Sequence, residues 1–317
     1  MEEEPIKKDV IIVGGGIAGL TAAIYTSIMA LDTKVIEKTP YVGQLPETIL
    51  IKNYPGLRNV EAEVIARTVE EQAREDFSVD ISREEVIDVV MEKNAMPYRF
   101  LVKTNHGNYL SKALIIATGS KPRTLNVDGE ELKGVTYYPA YDVDILRDKD
   151  VVIVGAGNAS IQFAIWLVDK VKTITLVEAL KEPLASPMKM NALNSIMKNG
   201  KIPVKLLTQH TVKKIKGKDK VEGVVISHRE TGEEKEIPAS AVIVSIGKIP
   251  NSELGEKLGC ETDKAGFIEV NREQKTSVEG VFAAGDVDGV VLHAIKSAGE
   301  GCVAGLKTAE YLKTGEW

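Results

Sequence analysis

Two stretches of the chain share one order of hydrophobic and polar positions. The first, DVIIVGGGIAGLTAAIYTSIMALDTKVIEK, begins at Asp9, and the second, DVVIVGAGNASIQFAIWLVDKVKTITLVEA, begins at Asp150. Each predicts a buried apolar strand, a glycine turn, a helix and a second strand that ends in glutamate. The interval from the first glycine to this glutamate is 23 residues in both stretches. The sequence therefore predicts two β–α–β units that are internal repeats of each other.

The glycine turns of both repeats are of the type that binds a dinucleotide. Gly14, Gly16 and Gly19 permit a tight turn, a close approach of a pyrophosphate to the backbone, and close packing of helix on strand. The pyrophosphate then lies at the positive end of the helix dipole. Glu37 and Glu178 end the second strands, where a carboxylate accepts hydrogen bonds from ribose hydroxyls. A tight turn without a ligand is the alternative, but the shared spacing and the two glutamates favour nucleotide binding.

Three further apolar runs that end at glycine indicate the order of the domains. They are KALIIATGS at Lys112, AVIVSIGK at Ala241 and GVFAAGDV at Gly280. The first closes the first repeat and the second closes the second repeat, while ETGEE at Glu230–Glu234 predicts a turn of an inserted β-meander. The third run is followed by a helical pattern. We predict an α/β protein in which a first domain, residues 1–119 and 248–317, is interrupted by a second domain, residues 120–247.

Composition excludes several classes of protein. The chain of 317 residues is 44% hydrophobic and 27% charged, with a net charge of −6, which argues against nucleic acid and anionic membrane as partners. The acidic start MEEEPIKK is unlike a signal peptide, and no apolar run approaches the roughly 20 residues of a spanning helix. The two cysteines and four scattered histidines give neither a disulfide framework nor a metal site. We expect a cytoplasmic protein without a bound metal.

Several motifs together resemble one family of flavoproteins. They are GGGIAG at Gly14, GQL at Gly43, NYPG at Asn53, ATGSKPR at Ala117, IGKIPN at Ile246 and FAAGDV at Phe282. In this order and spacing the chain resembles the low-molecular-weight thioredoxin reductases along nearly its whole length. The resemblance implies two Rossmann-like domains of the three-layer ββα type. FAD would bind to the first repeat and the C-terminal segment, a nicotinamide nucleotide would bind to the inserted domain, and the protein would be a homodimer.

The resemblance also implies which residues bind the cofactors. Asp286 would accept hydrogen bonds in the ribityl and phosphate region, and the helix that starts at His293 would direct its positive end at the flavin pyrimidine. The full implied set is Gly14, Gly16, Ala18, Gly19, Glu37, Lys38, Gly43, Gln44, Leu45, Asn53, Ala117, Thr118, Gly119, Gly155, Gly157, Asn158, Ala159, Glu178, Gly247, Gly285, Asp286, His293 and Ala294.

The sequence departs from the family at the position of its redox-active dithiol. Relatives have Cys-x-x-Cys where this chain has Tyr138-Pro139-Ala140-Tyr141, within GVTYYPAYD. Phenols cannot carry out thiol–disulfide exchange, which argues against reduction of thioredoxin by the usual route. We predict that Tyr138 or Tyr141 lies against the isoalloxazine ring and fills the place of the cysteines. The alternative is that the tyrosines only pack between the domains.

A second departure concerns the choice of nicotinamide nucleotide. NADP-using relatives have a basic HRR…R motif after the second strand of the inserted domain, whereas this chain has VEALKEPL, in which Glu178 replaces the histidine and no arginine follows. A carboxylate that accepts from a free 2′-hydroxyl repels a 2′-phosphate, so we predict a preference for NADH. Lys181 is the nearby cation in this run and is interpreted as a solvated surface lysine. An acid at this position also resembles the NADH-using alkyl hydroperoxide reductase flavoproteins.

Two more departures lie at positions beside the reacting rings. Gln162 stands where relatives have a glutamate near the nicotinamide, and an amide brings no charge to hydride transfer. Leu292-His293 replaces an Arg-Gln pair beside the flavin, which makes His293 the titratable candidate near flavin N1 and O2. Together with Tyr138 and Tyr141 these are the candidate catalytic residues. The alternatives are a structural helix residue for Gln162 and a helix-start histidine without a redox role for His293.

These observations predict a FAD-dependent NAD(P)H oxidoreductase that prefers NADH and passes electrons directly from the flavin. Ferredoxin is the first candidate acceptor, since ferredoxin–NAD(P) reductases of this fold lack the Cys pair, and a quinone or dioxygen is the next. One alternative is a disulfide reductase that works through a partner's thiols. Another is a non-enzymatic module that senses flavin or NADH. A reductase fed by reduced ferredoxin is disfavoured because the second glycine motif, with Gly155 and Gly157, is intact.

Overall fold

The computed structural model describes residues 4–40, 42–45, 50–92, 96–289 and 291–317. The chain divides into two compact units. Unit 1 comprises Met1–Lys121 and Ile249–Trp317, and unit 2 comprises Pro122–Lys248. The two ends of the chain thus fold together as one unit, and the middle of the chain forms the other. The cofactor that each unit binds stays a prediction at this point.

Both units contain strands and helices. The strands are β1 (Ile6–Val13), β2 (Thr33–Glu37), β3 (Leu50–Ile51), β4 (Val60–Glu61), β5 (Asp80–Arg83), β6 (Val86–Met91), β7 (Phe100–Thr104), β8 (Asn108–Ile116), β9 (Ser120–Pro122), β10 (Val135–Thr136), β11 (Asp150–Val154), β12 (Thr173–Val177), β13 (Val204–Leu207), β14 (His210–Lys216), β15 (Gly223–His228), β16 (Glu234–Pro238), β17 (Ala241–Val244), β18 (Lys248–Pro250) and β19 (Val281–Ala283). The helices are α1 (Ile17–Ile28), α2 (Ala62–Glu71), α3 (Val143–Leu146), α4 (Asn158–Leu167), α5 (Pro187–Asn199), α6 (Glu253–Leu258) and α7 (Ala294–Thr314). In the part of the chain described here, no helix is long and apolar enough to cross a membrane.

The central sheet of unit 1 is mostly parallel and is buried on both faces. Its order is β5-β2-β1-β8, after which β7 and β6 continue antiparallel beside the first half of β8. Alternate residues of β1 enter different cores: Val10 and Ile12 pack with α1, and Ile11 and Val13 pack on the other face. This explains why the sequence shows an uninterrupted apolar run instead of a polar–apolar alternation.

The C-terminal segment completes unit 1. Strand β19 pairs in parallel with the second half of β8, and α7 then packs along α1. The approach of the two helices is close, because a Cβ at Gly301 would lie 2.2 Å from the Ala18 carbonyl oxygen and a Cβ at Gly305 would lie 2.7 Å from that of Ala22. The Gly-rich and Ala-rich sequence of α7 is therefore explained by helix packing, which brings the start of α7 to the carboxyl ends of the central strands.

Unit 2 has three layers. A parallel five-stranded sheet has the order β10-β17-β11-β12-β13, and an antiparallel sheet has the order β14-β15-β16. Val151 and Ile153 of β11 pack with α4 and α5, while Val152 and Val154 pack toward the antiparallel sheet. The turn at Glu230–Glu234 lies where the sequence predicts the meander. The predicted α/β class with two Rossmann-like, three-layer domains is confirmed.

Candidate cofactor sites

Two glycines of the first glycine motif in unit 1, Gly14 and Gly19, have no room for a side chain. Gly14 has φ +107°, and a Cβ there would lie 2.2 Å from the carbonyl oxygen of Ala117. A Cβ at Gly19 would lie 1.9 Å from the Gly14 carbonyl oxygen. These two positions therefore require glycine, the first for its backbone conformation and both for close packing.

The start of α1 presents bare backbone. Gly16 is the N-cap in an extended conformation and supplies no side-chain cap, and the first turn holds no acidic residue. The nearest neighbour of a Cβ at Gly16 would be the Gly43 Cα atom, at 3.9 Å. Free N–H groups at a helix N-terminus, with glycine on both sides, fit the diphosphate of a dinucleotide.

Glu37 is held in place by the glycine turn and by the residue after the strand. Its Oε2 atom accepts a hydrogen bond from the Gly15 N–H at 2.6 Å. Its Oε1 atom accepts from the backbone N–H and the hydroxyl of Thr39, both at 2.8 Å. The buried carboxylate is thus oriented before any ligand binds, and it keeps lone pairs for a ribose hydroxyl.

Unit 2 repeats this geometry at its own glycine turn. Gly155 has φ +101°, and a Cβ there would lie 2.2 Å from the Ser245 carbonyl oxygen. Glu178, which is 9% exposed, accepts hydrogen bonds from the N–H groups of Ala156 at 2.7 Å and Leu180 at 2.9 Å. The extended N-cap of α4, Gly157, again supplies no side-chain cap. In both units the glutamate that ends the second strand accepts a hydrogen bond from the glycine turn. We call this arrangement of turn and glutamate a glycine–glutamate cradle, and the internal repeat predicted from the sequence is a repeat of it.

Ser160 takes the place of the third glycine in unit 2. Its hydroxyl donates a hydrogen bond to the carbonyl oxygen of Ser245 at 3.2 Å. The same carbonyl lies beside Gly155, so the serine ties the first turn of α4 to the loop after β17. Gly247 follows in this loop with φ +98°, and its carbonyl oxygen accepts a hydrogen bond from the Arg123 N–H at 3.0 Å.

The loop after β8 holds the next group of predicted FAD ligands, Ala117, Thr118 and Gly119. The Thr118 hydroxyl donates to the Asn251 carbonyl oxygen at 2.6 Å, and the Asn251 amide donates to the Thr118 carbonyl oxygen at 2.8 Å. Gly119 has φ +68° and accepts from the Asn251 N–H at 3.0 Å. The side chain of Asn251 therefore fixes this loop, which the sequence alone did not reveal.

Gly285 and Asp286 lie directly after β19, at the carboxyl end of the sheet. Gly285 has φ +88°, and a Cβ there would lie 2.8 Å from the Cβ atom of Ala18. The Ser120 hydroxyl donates to the Asp286 carboxylate at 3.1 Å. Asp286 is therefore held near the start of α1, as a ligand of the same cofactor requires.

The remaining predicted FAD ligands occupy varied positions in unit 1. Gly43 has φ +53° and lies next to Gly16, and the side-chain amide of Gln44 donates to the Ser120 carbonyl oxygen. Leu45 packs against the core, whereas Asn53 and Lys38 are exposed. The ligand roles of these residues stay predictions.

The start of α7 carries the histidine that the sequence singles out. His293 is the N-cap of α7, is exposed, and makes no side-chain cap, and Ala294 is the first helical residue. Leu292 and Ile295 on either side are 37% and 40% exposed. The N-terminus of α7 is therefore available to a ligand, and the redox role of His293 stays a prediction.

Gln162 and Asn158 both contact the start of α5. The Gln162 side-chain oxygen accepts a hydrogen bond from the Lys189 ammonium, and the Asn158 side-chain oxygen accepts from the Ser186 N–H at 2.8 Å. Ser186 is itself the N-cap of α5. These two contacts join α4 and α5, with Ala159 between them on α4, so Gln162 has a structural partner in addition to its predicted place near the nicotinamide.

The tyrosine turn of unit 2 is well hydrogen-bonded. The Tyr138 carbonyl oxygen accepts from the N–H groups of Tyr141 at 3.0 Å and Asp142 at 3.2 Å, and the Tyr138 N–H donates to the Thr136 hydroxyl at 2.9 Å. Tyr138 is half-buried and Tyr141 is 49% exposed. The contact of either ring with a flavin stays a prediction.

Neither cysteine replaces the dithiol. Cys260 and Cys302 are both free, and burial raises the pKa of the Cys260 thiol, which makes it a poor nucleophile. Among the residues that the structure describes, no group of three or more His, Cys, Asp or Glu side chains could hold a metal ion.

Arg229 is a cation that contacts the residue after Glu178. It lies outside the run VEALKEPL that follows β12 in the sequence. Its guanidinium donates a hydrogen bond to the Ala179 carbonyl oxygen at 3.1 Å. Lys181 is therefore not the only cation near this strand end, because Arg229 reaches it from 50 residues further along the chain than Ala179. Sequence spacing held no signal for this contact.

Comparison with known proteins places these features in one family. The sequence model of the pyridine nucleotide-disulphide oxidoreductase family matches residues 8–301. The chain is 33% identical over 316 residues to the 34.2 kDa protein in the rubredoxin operon of Clostridium pasteurianum, which covers 98% of this chain and 99% of that one. It is 34% identical over 316 residues to an NADH dehydrogenase of Bacillus subtilis (strain 168), which covers 98% of this chain. The chain spans 59% of the length of that dehydrogenase.

Structural comparison agrees with the sequence matches. The chain superposes on the thioredoxin reductase of T. acidophilum with a TM-score of 0.88 and 30% identity, over 97% of this chain and 99% of that one. The resemblance to thioredoxin reductase-like flavoproteins that the motifs indicate is confirmed.

Proposed function

The chain belongs to the pyridine nucleotide-disulphide oxidoreductase family, and on that premise we propose that it carries electrons from NADH, through FAD held by unit 1, to an acceptor other than a dithiol. As a member it is an NAD(P)H-dependent flavoprotein oxidoreductase, and FAD and NAD(P)H are the cofactors of the family. The observation that carries the proposal is the combination of two intact glycine–glutamate cradles with phenols at the position of the dithiol.

The residues of unit 1 fit FAD. The bare backbone from Gly14 to Gly16 and the N-terminus of α1 would bind the diphosphate, and Glu37 would accept from a ribose hydroxyl. Asp286, positioned by Ser120, would accept from the ribityl chain. Bound FAD would supply the two-electron chemistry by accepting hydride at N5. The open N-terminus of α7 would stabilise negative charge near the pyrimidine edge.

Unit 2 offers the corresponding cradle for NADH. The backbone from Gly155 to Gly157 would bind the diphosphate, and Glu178 would accept from the adenosine ribose. The carboxylate repels a 2′-phosphate, which favours NADH. Arg229 on the neighbouring carbonyl opposes this repulsion, so we propose a preference for NADH that is finite and not absolute.

The acceptor is proposed to be a small iron–sulfur protein, with ferredoxin as the first choice and a quinone or dioxygen as alternatives. Tyr138 and Tyr141 remove the usual thiol relay, so electrons would leave directly from the flavin. A relative of almost the same length is named for a rubredoxin operon, and rubredoxin is an iron–sulfur protein too. This name supports the class of acceptor.

A second candidate is reduction of a disulfide through a partner's thiols. The similarity to a solved thioredoxin reductase favours it. The absence of a dithiol at 138–141 disfavours it, because the partner would then have to bring both its thiols to the flavin. We also propose a cytoplasmic homodimer that binds neither nucleic acid nor a membrane.

The experiment is an anaerobic titration of the purified protein. The flavin absorbance is expected to be bleached much faster by NADH than by NADPH. Reoxidation is then followed with ferredoxin, rubredoxin, a quinone, dioxygen and oxidised thioredoxin. Fast reoxidation by an iron–sulfur protein supports the proposal, whereas reoxidation by thioredoxin alone would establish the second candidate. If neither NADH nor NADPH bleaches the flavin absorbance, the electron-transfer role is refuted. Light scattering of the same sample measures the oligomeric state.

A further inference from the structure

A group of buried and half-buried charges lies beneath the loop that follows β19. The Lys296 ammonium donates to the carbonyl oxygens of Gly285 at 3.0 Å and Gly289 at 2.9 Å. It also forms ion pairs with Asp288 and, at 2.7 Å, with Glu300. We call Asp288, Lys296 and Glu300 the lysine cluster.

The lysine cluster fixes the backbone that is proposed to contact FAD. The Gly285 N–H donates to the Glu300 carboxylate at 3.0 Å, while the Gly285 carbonyl accepts from Lys296. The N–H and the carbonyl group of Gly285 are therefore both held by side chains of α7. Because Asp286 is the next residue, any change in the cluster is transmitted to the proposed flavin ligand.

The cluster holds more negative than positive charge. One ammonium faces two carboxylates, and the side chain of Asp288 is only 1% exposed. Burial, together with the neighbouring Glu300 charge, raises the pKa of Asp288 to about 7, although Lys296 opposes the shift. A carboxyl group in these surroundings can change its protonation near neutral pH.

The groups that face Asp288 come from two sides. The charged ones are Lys296 and Glu300, both on α7. The polar one is the side-chain amide of Gln274, which donates to Asp288 Oδ2 at 3.0 Å and to the Ala283 carbonyl oxygen at 2.7 Å when its nitrogen is oriented toward them. Among the described residues, these groups contact the Asp288 carboxyl group. The protonation of Asp288 therefore depends on the charges that α7 carries.

We propose that Asp288 takes up one proton when the flavin bound to unit 1 is reduced. This rests on the proposed function, because it requires FAD at Gly285 and Asp286. Hydride transfer brings two electrons and one proton, which leaves one added negative charge on the cofactor. In the molecules whose Asp288 is ionised, a proton from solvent then converts the carboxylate to the acid, and the lysine cluster changes from a charge of −1 to 0. Lys296 lies in the first turn of α7, so cofactor and cluster share one electrostatic environment.

The coupling must be reciprocal. If reduction favours protonation of Asp288, protonation of Asp288 favours reduction by the same free energy. The midpoint potential of the bound flavin should therefore fall more steeply with pH where Asp288 titrates. Each proton taken up with two electrons adds about 30 mV per pH unit, because a tenfold change in proton concentration changes the equilibrium tenfold.

The test measures the flavin midpoint potential of the FAD-loaded protein at several pH values around 7, with a chemical reductant and a reference dye. Above about pH 7, where Asp288 is ionised in the oxidised protein, the wild type is expected to lose up to about 30 mV per pH unit more than D288N. E310Q, which makes the same charge change at an exposed position of α7, serves as the matched control and should follow the wild type. Equal slopes in wild type and D288N would overturn the proposal.

A second measurement needs no variant. The infrared difference spectrum between reduced and oxidised wild type at pH 7 should show the carbonyl stretch of a newly protonated carboxylic acid, and a spectrum without this band would overturn the proposal even if D288N failed to fold. The chemical reductant makes both measurements independent of NADH. Lack of bound FAD or of reduction by NADH would therefore count against the proposed function, and equal slopes in a protein that NADH does reduce would count against the role of Asp288 alone.

Discussion

We propose that the choice between NADH and NADPH is set by a competition between two oppositely charged side chains, Glu178 and Arg229, and E178Q tests which one prevails. The two nucleotides differ at the adenosine ribose, where NADPH carries a phosphate in place of the 2′-hydroxyl. Glu178 is oriented by the N–H groups of Ala156 and Leu180. The glutamine variant removes the charge while keeping an oxygen that can accept one of these hydrogen bonds.

The size of the effect follows from burial. Two unit charges about 4 Å apart interact by about 1 kcal/mol in bulk water and by about 4 kcal/mol near a protein surface. A carboxylate that is 9% exposed at the edge of an open cradle lies between these limits. We therefore expect E178Q to change the relative preference by about 1–3 kcal/mol, or roughly 5-fold to 150-fold in favour of NADPH. Arg229 is exposed, so its contribution in the opposite direction should be at most about 1 kcal/mol.

The assay is stopped-flow reduction of the flavin under anaerobic conditions, with kcat/KM measured for each nucleotide. The ratio of the two values cancels changes in protein concentration and FAD content. E182Q removes a nearby exposed charge and should leave the ratio unchanged, whereas R229Q should shift it modestly toward NADH. A ratio in E178Q within twofold of the wild type, or a larger change in R229Q than in E178Q, would refute the reasoning.

Three further predictions concern stability and the absence of thiol chemistry. G14A should lose bound FAD and about 1–2 kcal/mol or more of stability, because φ is +107° and a Cβ would meet a carbonyl oxygen at 2.2 Å. Thermal unfolding followed by flavin fluorescence measures both losses. The control G107A, with nothing within 4 Å of its Cβ, should lose little stability. Replacing Cys260 and Cys302 together by serine should leave NADH-dependent turnover with a non-thiol acceptor unchanged, and a loss of more than tenfold would show that a thiol takes part. Because the pKa of Asp288 is raised to about 7, the folded protein retains a proton that the unfolded chain loses near pH 4. The free energy of unfolding should therefore fall from about pH 4 to about pH 7 more in the wild type than in D288N, as urea titrations can measure, and parallel curves would contradict this.

The glycine–glutamate cradles could be predicted from the sequence because their geometry is local. Glu37 contacts a residue 22 positions before it and Glu178 does the same, so one interval in the sequence encodes one hydrogen bond in each unit. The central strands β1, β8, β11, β17 and β19 could be predicted equally well, since burial on both faces favours an uninterrupted apolar run. The insertion of one domain into the other is predicted by the third apolar run, GVFAAGDV, which comes after the second repeat.

The contacts that refine the site could not be read in this way. Asn251 fixes Thr118 across 133 residues, and Arg229 reaches the carbonyl next to Glu178 from a different sheet. Lys296 occupies a helical position that by pattern alone is an ordinary surface lysine. Each of these side chains has its role because of packing between elements that are distant in the sequence, which periodicity and spacing do not encode. The same limit applies to Gln162, whose partner Lys189 lies in the first turn of another helix, α5.

The two cradles are alike in geometry but differ in how much of each carboxylate remains for a ligand. Ionised carboxylates have about four acceptor sites. In the described part of the chain, Glu37 accepts three hydrogen bonds, two of them from Thr39, whereas Glu178 accepts two, from backbone N–H groups. Glu178 therefore keeps two acceptor sites, enough for both hydroxyls of an unphosphorylated ribose. If the adenosine ribose binds to Glu178 as proposed, NADPH would leave one of these sites unpaired in addition to the charge repulsion. Hydrogen bonding and electrostatics therefore both support the proposed preference for NADH.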